Sequence, residues 1–152
     1  MSSTSFAILL MTKKKILVLC TGNSCRSQIA EGYLRHFANG NAEIYSAGIE
    51  IHGVNPRAIE TMKEDDIDIH NHTSNHIDEY RNIDFDFVIT VCNKAKEHCA
   101  FFPSTANMFH QNFPDPAKST GTETEIKEQF RQVRKQIKDY CKKFITDNLP
   151  SA

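Results

Sequence analysis

The stretch CTGNSCRS at residues 20–27 gathers two thiols, a glycine, an asparagine and an arginine directly after the apolar run ILVL at 16–19. Between Cys20 and Arg26 the chain must turn from a strand into a helix, and Gly22 and Asn23 tolerate the unusual backbone angles that such a turn can require. A turn of this kind aims successive N–H groups inward. With the N-terminus of the following helix, residues Thr21, Gly22, Asn23, Ser24, Cys25, Arg26 and Ser27 then make a nest for a tetrahedral oxyanion. The Arg26 guanidinium can add two parallel hydrogen bonds to the oxygens of that anion. Cys20 sits at the base, and it is expected to be partly ionised, because helix-end dipoles and a nearby arginine lower a cysteine pKa from about 8.5 to roughly 3.5–7.5. Such a thiolate is a nucleophile facing its own substrate. The C-x5-R spacing by itself also fits a buried cysteine in an ordinary strand-to-helix turn.

Elements must hold this loop in place, and the hydrophobic pattern supplies them. ILVL is apolar throughout and too short for a helix, as expected of a strand covered on both faces. Gln28 to Phe37 has apolar residues at 29, 30, 33, 34 and 37, a helical spacing closed by Asn39-Gly40. Ala42 to Ala47 reads as a second strand. Asn55-Pro56 starts a second helix, since Asn caps well and Pro suits the first helical position. Phe85 to Val91 and Asn107 to Phe109 read as the third and fourth strands. The last helix opens on Thr122 and Glu125, a capping box, and carries Ile126, Phe130, Val133, Ile137, Cys141, Phe144 and Ile145 along one face. Strands alternating with helices predict an α/β fold of three layers, a four-stranded parallel sheet with helices on both faces. Ligands in such sheets bind beyond the carboxyl ends of the strands, where Cys20 and Cys92 both fall.

Composition bounds the rest. At 152 residues, 39% hydrophobic and 24% charged, the chain has the makeup of one globular domain, expected over residues 13–152. Residues 1–12 read as an N-terminal extension, expected to be disordered. A formal net charge of −1 gives no global field toward nucleic acid or an anionic membrane, so a bound anion must be held locally. No apolar stretch approaches a membrane span, and the run at 6–11 has no basic residue before it to make a secretory signal. The cytoplasm is therefore the expected compartment. There, five cysteines are more often catalytic, metal-bound or inert than a stapling framework. Zinc fits poorly: C-x6-C at 92–99 lacks the usual spacing, and His70, His72 and His76 have no matching pair. Cys141 falls on the apolar face of the last helix and reads as core.

The full string CTGNSCRSQIAEG resembles the phosphate-binding loop and first helix of the low-molecular-weight tyrosine phosphatases and of the arsenate reductases that share their fold. The likeness extends to YSAGIE at 45–50, HGVNPRAIETM at 52–62 and NHTS at 71–74, and covers nearly everything from Lys13 to Ile145. Between the two, cysteine count decides. A phosphatase moves no electrons and needs one thiol. Reduction of arsenate to arsenite takes two electrons, which one dithiol supplies on becoming a disulfide. VITVCNKAKEHC resembles the redox segment of the thioredoxin-coupled arsenate reductases, with Cys92 and Cys99 as the redox pair. Gln28 agrees, since phosphatases of this fold usually have proline there, and no tyrosine neighbours Asp115 to guide an aryl phosphate.

That resemblance implies a relay. Cys20 attacks arsenic, Asp115 of the FPDPA stretch protonates the leaving oxygen, Cys92 attacks Cys20, and Cys99 then attacks Cys92 to leave a disulfide for thioredoxin. It implies further that Ser27 donates to the Cys20 thiolate, that Asn23 braces the loop, that Cys25 is structural and that His72 supports the loop from behind. In some relatives a monovalent cation sits beneath the loop. The matching positions are Asn23, Glu31, Ser46, Thr73 and Asn75, and Asn75 stands where those relatives carry Asp. Beyond potassium at that place no cofactor is implied. Arsenate and thioredoxin are the implied partners, and the chain is read as a monomer without nucleic acid or membrane contacts. The alternatives are a low-molecular-weight tyrosine phosphatase and a thiol-based redox sensor without turnover.

Overall fold

The computed structural model describes residues 13–99 and 106–149. The expected N-terminal extension, residues 1–12, lies outside the described residues. Four parallel strands form one sheet in the order β2-β1-β3-β4: β1 Lys14–Cys20, β2 Ala42–Gly48, β3 Phe87–Thr90 and β4 Asn107–His110. Residues Ile16 to Leu19 of β1 are each no more than 1% exposed, so both faces of the central strand are covered, as an unbroken apolar run requires.

Among the described residues, four α-helices connect and cover the strands: α1 Arg26–Ala38, α2 Pro56–Glu64, α3 Asn93–Cys99 and α4 Glu123–Asn148. One sheet face packs on α4, where the rings of Phe87 and Phe109 meet Phe144 edge-on. The opposite face carries Tyr45, which joins Tyr80 and Phe85 in an aromatic cluster under the connection from α2 to β3. The helix α1 packs against α4, β1 and β2. It also comes close to α2, because Gly32 has no side chain: a Cβ there would lie 2.9 Å from Met62 and 3.0 Å from Ile69.

Helix ends follow their residues. The Asn55 side chain accepts from Arg57 N with Pro56 in the first turn, and Thr122 with Glu125 closes the capping box of α4. Asn39, in the left-handed region at φ 47°, ends α1. Helix α1 begins at Arg26, two residues ahead of the expected start at Gln28, which places the arginine in the first helical turn. The expected third strand from 85 to 91 pairs as a strand only over Phe87–Thr90, the length matched by β4. No helix among the described residues is long and apolar enough to cross a membrane.

Candidate active site

Cys20 is the last residue of β1 and is nearly buried. The turn that follows is held from outside by its carbonyls. Those of Thr21, Gly22 and Ser24 accept from the N–H groups of Glu50, His52 and Asn55, in the segment after β2, at 2.9, 3.0 and 2.9 Å. The carbonyl of Asn23 accepts from Gln28 Nε2 at 3.0 Å, and that of Cys25 from Ile29 N at 3.0 Å. With its carbonyls drawn to the scaffold, the turn can offer its N–H groups to an anion.

Of the two residues able to take unusual backbone angles, one uses that freedom. Asn23 has φ 48°, whereas Gly22 is not in the positive-φ region. Gly22 is needed for space, since a Cβ there would meet His52 Nδ1 at 2.3 Å. Asn23 is fully buried and braces the loop with its whole side chain. Its Nδ2 donates to Ser27 Oγ and Ser46 Oγ, both at 2.9 Å, while Oδ1 accepts from Asn75 N at 2.7 Å. Ser27, expected beside the Cys20 sulfur, is thus tied to the asparagine.

Beyond the loop the strand ends converge on a cleft of about 510 Å³ that takes in Cys20, Ser24, Cys25, Arg26, Cys92 and Asp115. Arg26 reaches across it: Nη1 donates to Phe113 O at 2.9 Å, and Nη2 stands 3.7 Å from Asp115 Oδ2. The other oxygen of Asp115 accepts from Ala117 N at 3.0 Å, capping the short turn Pro116–Lys118, so this aspartate shapes a turn and faces the cleft at once.

Cys92, immediately ahead of α3, is buried and lines the same cleft as Cys20. Its sulfur also lies 3.2 Å from Thr21 Oγ1 and accepts from Ala95 N at 3.4 Å. The neighbouring Cys20, then hydrogen bonds from Thr21 and Ala95 and the charge of Arg26, hold Cys92 down at about 5. Cys20 is pushed up, first by Cys92 and then by burial, against the pull of Arg26. The two thiols titrate together, so the partial ionisation expected of Cys20 belongs to the pair. Cys25 has no such help. Burial and the Asp115 charge push its thiol up to about 12, which suits a structural role.

Cys99 stands at the far end of α3, where its backbone is helical. Sequence reasoning missed the rim. Glu50 accepts from His52 at 2.8 Å and pairs with Lys94 at 3.6 Å, and both contacts lower its pKa. The link made by Gln28 was also missed: its amide spans from Asn23 O to Thr73 O, and its Oε1 accepts from His72 Nδ1 at 2.9 Å.

Residues 15–150 match the low molecular weight phosphotyrosine protein phosphatase family. The chain is 50% identical over 134 residues to an arsenate reductase of Oceanobacillus iheyensis, covering 88% of this chain and 96% of that one. It is 48% identical over 134 residues to arsenate reductase 2 of Staphylococcus saprophyticus, covering 88% and 98%. Among solved structures, an arsenate reductase in the phosphate binding state superposes with a TM-score of 0.73 at 33% identity, covering 88% of this chain and 98% of the other. A low molecular weight protein tyrosine phosphatase from T. tengcongensis shares the fold at a TM-score of 0.76 and 22% identity, covering 88% and 99%.

Proposed function

The chain belongs to the low molecular weight phosphotyrosine protein phosphatase family, and on that premise we propose that it reduces arsenate to arsenite with electrons from its own thiols, regenerated by thioredoxin. The observation that carries this reading is a second buried thiol, Cys92, in the same cleft as Cys20, its sulfur 3.2 Å from the hydroxyl of Thr21, the residue after Cys20. Hydrolysis of a phosphate ester has no use for a second thiol in the cleft of the nucleophile.

Arsenate enters the loop, held by its N–H groups and by Arg26. Cys20 gives its proton to the Cys92 thiolate and attacks arsenic. Asp115 protonates the departing oxygen, which leaves as water, and an arsenic–sulfur bond remains. Cys92 passes its proton to the Asp115 carboxylate so formed, and its thiolate attacks the Cys20 sulfur. The arsenic–sulfur bond breaks, its electron pair leaves with arsenic as arsenite, and a Cys20–Cys92 disulfide forms. Cys99 then attacks Cys92, freeing the Cys20 thiolate and leaving Cys92–Cys99, which a thioredoxin dithiol reduces.

The last exchange demands movement. Seven helical residues set Cα atoms roughly 10 Å apart, and a disulfide needs less than about 7 Å, so α3 must unwind. The reaction is placed in a reducing compartment, the cytoplasm, where thioredoxin keeps dithiols reduced.

Arsenate-dependent oxidation of a thioredoxin system tests the proposal. The parent is expected to turn over, and Cys20→Ser, Cys92→Ser and Cys99→Ser are each expected to stop at or before one cycle. Full turnover of an aryl phosphate by Cys92→Ser, with no arsenate-dependent oxidation by the parent, would overturn it in favour of a phosphatase.

A further inference from the structure

The positions that match a cation site in relatives do not make one in this chain. Every side-chain oxygen among them except that of Thr73 already accepts a hydrogen bond from a protein donor. Glu31 Oε1 accepts from Ser46 Oγ at 2.5 Å, and Ser46 Oγ in turn accepts from Asn23 Nδ2. Asn23 Oδ1 accepts from Asn75 N, and Asn75 Oδ1 from Thr73 Oγ1 at 2.7 Å. The remaining Glu31 oxygen, Oε2, accepts from Arg35 Nε at 2.9 Å, one helical turn along α1. Arg35 is fixed there by a second bond, from Nη2 to the carbonyl of Ile44 in β2 at 2.7 Å.

We infer that the Arg35 guanidinium does the work of the monovalent cation, tying the Glu31 carboxylate beneath the loop to the edge of β2 and making the loop indifferent to potassium. Two features support this. Glu31 is the one carboxylate among the five positions, because position 75 is Asn, and a single negative charge already balanced by a guanidinium has little attraction left for another cation. The arginine spans two of the elements a bound ion would join, α1 and β2, while its two bonds hold it in one geometry.

This concerns the support beneath the loop, whichever oxyanion the loop takes, so its test is separate from that of arsenate reduction. Thermal unfolding is followed for the parent, for Arg35→Gln and for Arg35→Gln with Asn75→Asp. Each is measured in potassium, sodium and tetramethylammonium chloride at one ionic strength. The parent is expected to unfold at the same temperature in all three salts. The double variant regains a carboxylate and loses the guanidinium, and is expected to unfold about 3 °C or more higher in potassium than in tetramethylammonium, as a specifically bound ion requires. A potassium-selective, saturable rise of that size in the parent would overturn the inference. So would a double variant that folds and ignores potassium, because the site would then have no cation for Arg35 to replace. Should the double variant not fold, Arg35→Gln alone decides by the same comparison.

Discussion

The Oγ1 of Thr21 lies 3.2 Å from the Sγ of Cys92, 71 residues away in the chain. The residue that follows the first thiol thus holds the second, and the hydroxyl is one of the donors that keep Cys92 ionised at about 5. Thr21→Val keeps the shape and removes the donor. A hydrogen bond to a charged group is worth about 1.5–3 kcal/mol, so the thiolate of Cys92 is expected to titrate about one to two pH units higher. Ultraviolet thiolate absorbance against pH, in a Cys25→Ser background, reads this directly. An unchanged titration would show that Cys20 and Ala95 suffice.

Asn23 tests the loop's construction. Its left-handed backbone costs about 1 kcal/mol for most residues, and its buried amide serves three partners. Asn23→Ala is expected to lower stability by about 3 kcal/mol and activity with it, because buried groups are left without donors. Asn23→Gly loses the same bonds but not the backbone preference, and denaturant unfolding should place it about 1 kcal/mol above the alanine variant. Equal losses would mean that the side-chain bonds carry the whole effect.

How far the residues announced this arrangement depends on the range of the contacts. The anion loop, the caps at Asn55 and Thr122 and the buried stripe of α4 are written in local spacing, so they were legible. The Thr21–Cys92 contact, the Gln28 link to Thr73 and the Arg35 bond to Ile44 O join elements that only the completed sheet brings together. The joint titration of Cys20 and Cys92 was illegible for the same reason. A thiol's pKa depends on what surrounds its sulfur, and here the neighbour lies at the end of another strand.

Outside the cleft, α2 and α4 are joined by Glu64, which accepts from Arg131 at 3.0 and 2.9 Å and from Arg134 at 3.0 Å. The arginines, Arg131 first, lower its pKa to about 2. A carboxylate depressed in the folded state adds stability that is complete above its ordinary pKa and is lost as pH falls from there through about 2. Glu64→Gln is therefore expected to be less stable than the parent at neutral pH, by about 1 kcal/mol for a half-exposed network. The gap should close as the acid limit is approached. Parallel urea titrations across pH would show it, and a constant gap would assign the effect to packing.

The redox step makes the sharpest demand on α3. The amides of residues 96–99 carry the helix's backbone bonds, beginning with Lys96 N to Cys92 O at 3.2 Å. At the start of the helix, Asn93 Oδ1 is 2.9 Å from His110 Nε2, while His110 Nδ1 is 2.7 Å from Thr90 Oγ1, so β3 and β4 anchor the first residue. A Cys92–Cys99 disulfide cannot close across the intact helix, and its formation must break those backbone bonds while the anchor at Asn93 persists. Amides 96–99 are expected to exchange with solvent about tenfold faster or more in the oxidised protein than in the reduced one. His110→Ala should loosen the same amides in the reduced protein, because the start of the helix is released. Matching exchange in the two redox forms would mean that Cys99 does not pair with Cys92, and the thioredoxin step would need another route.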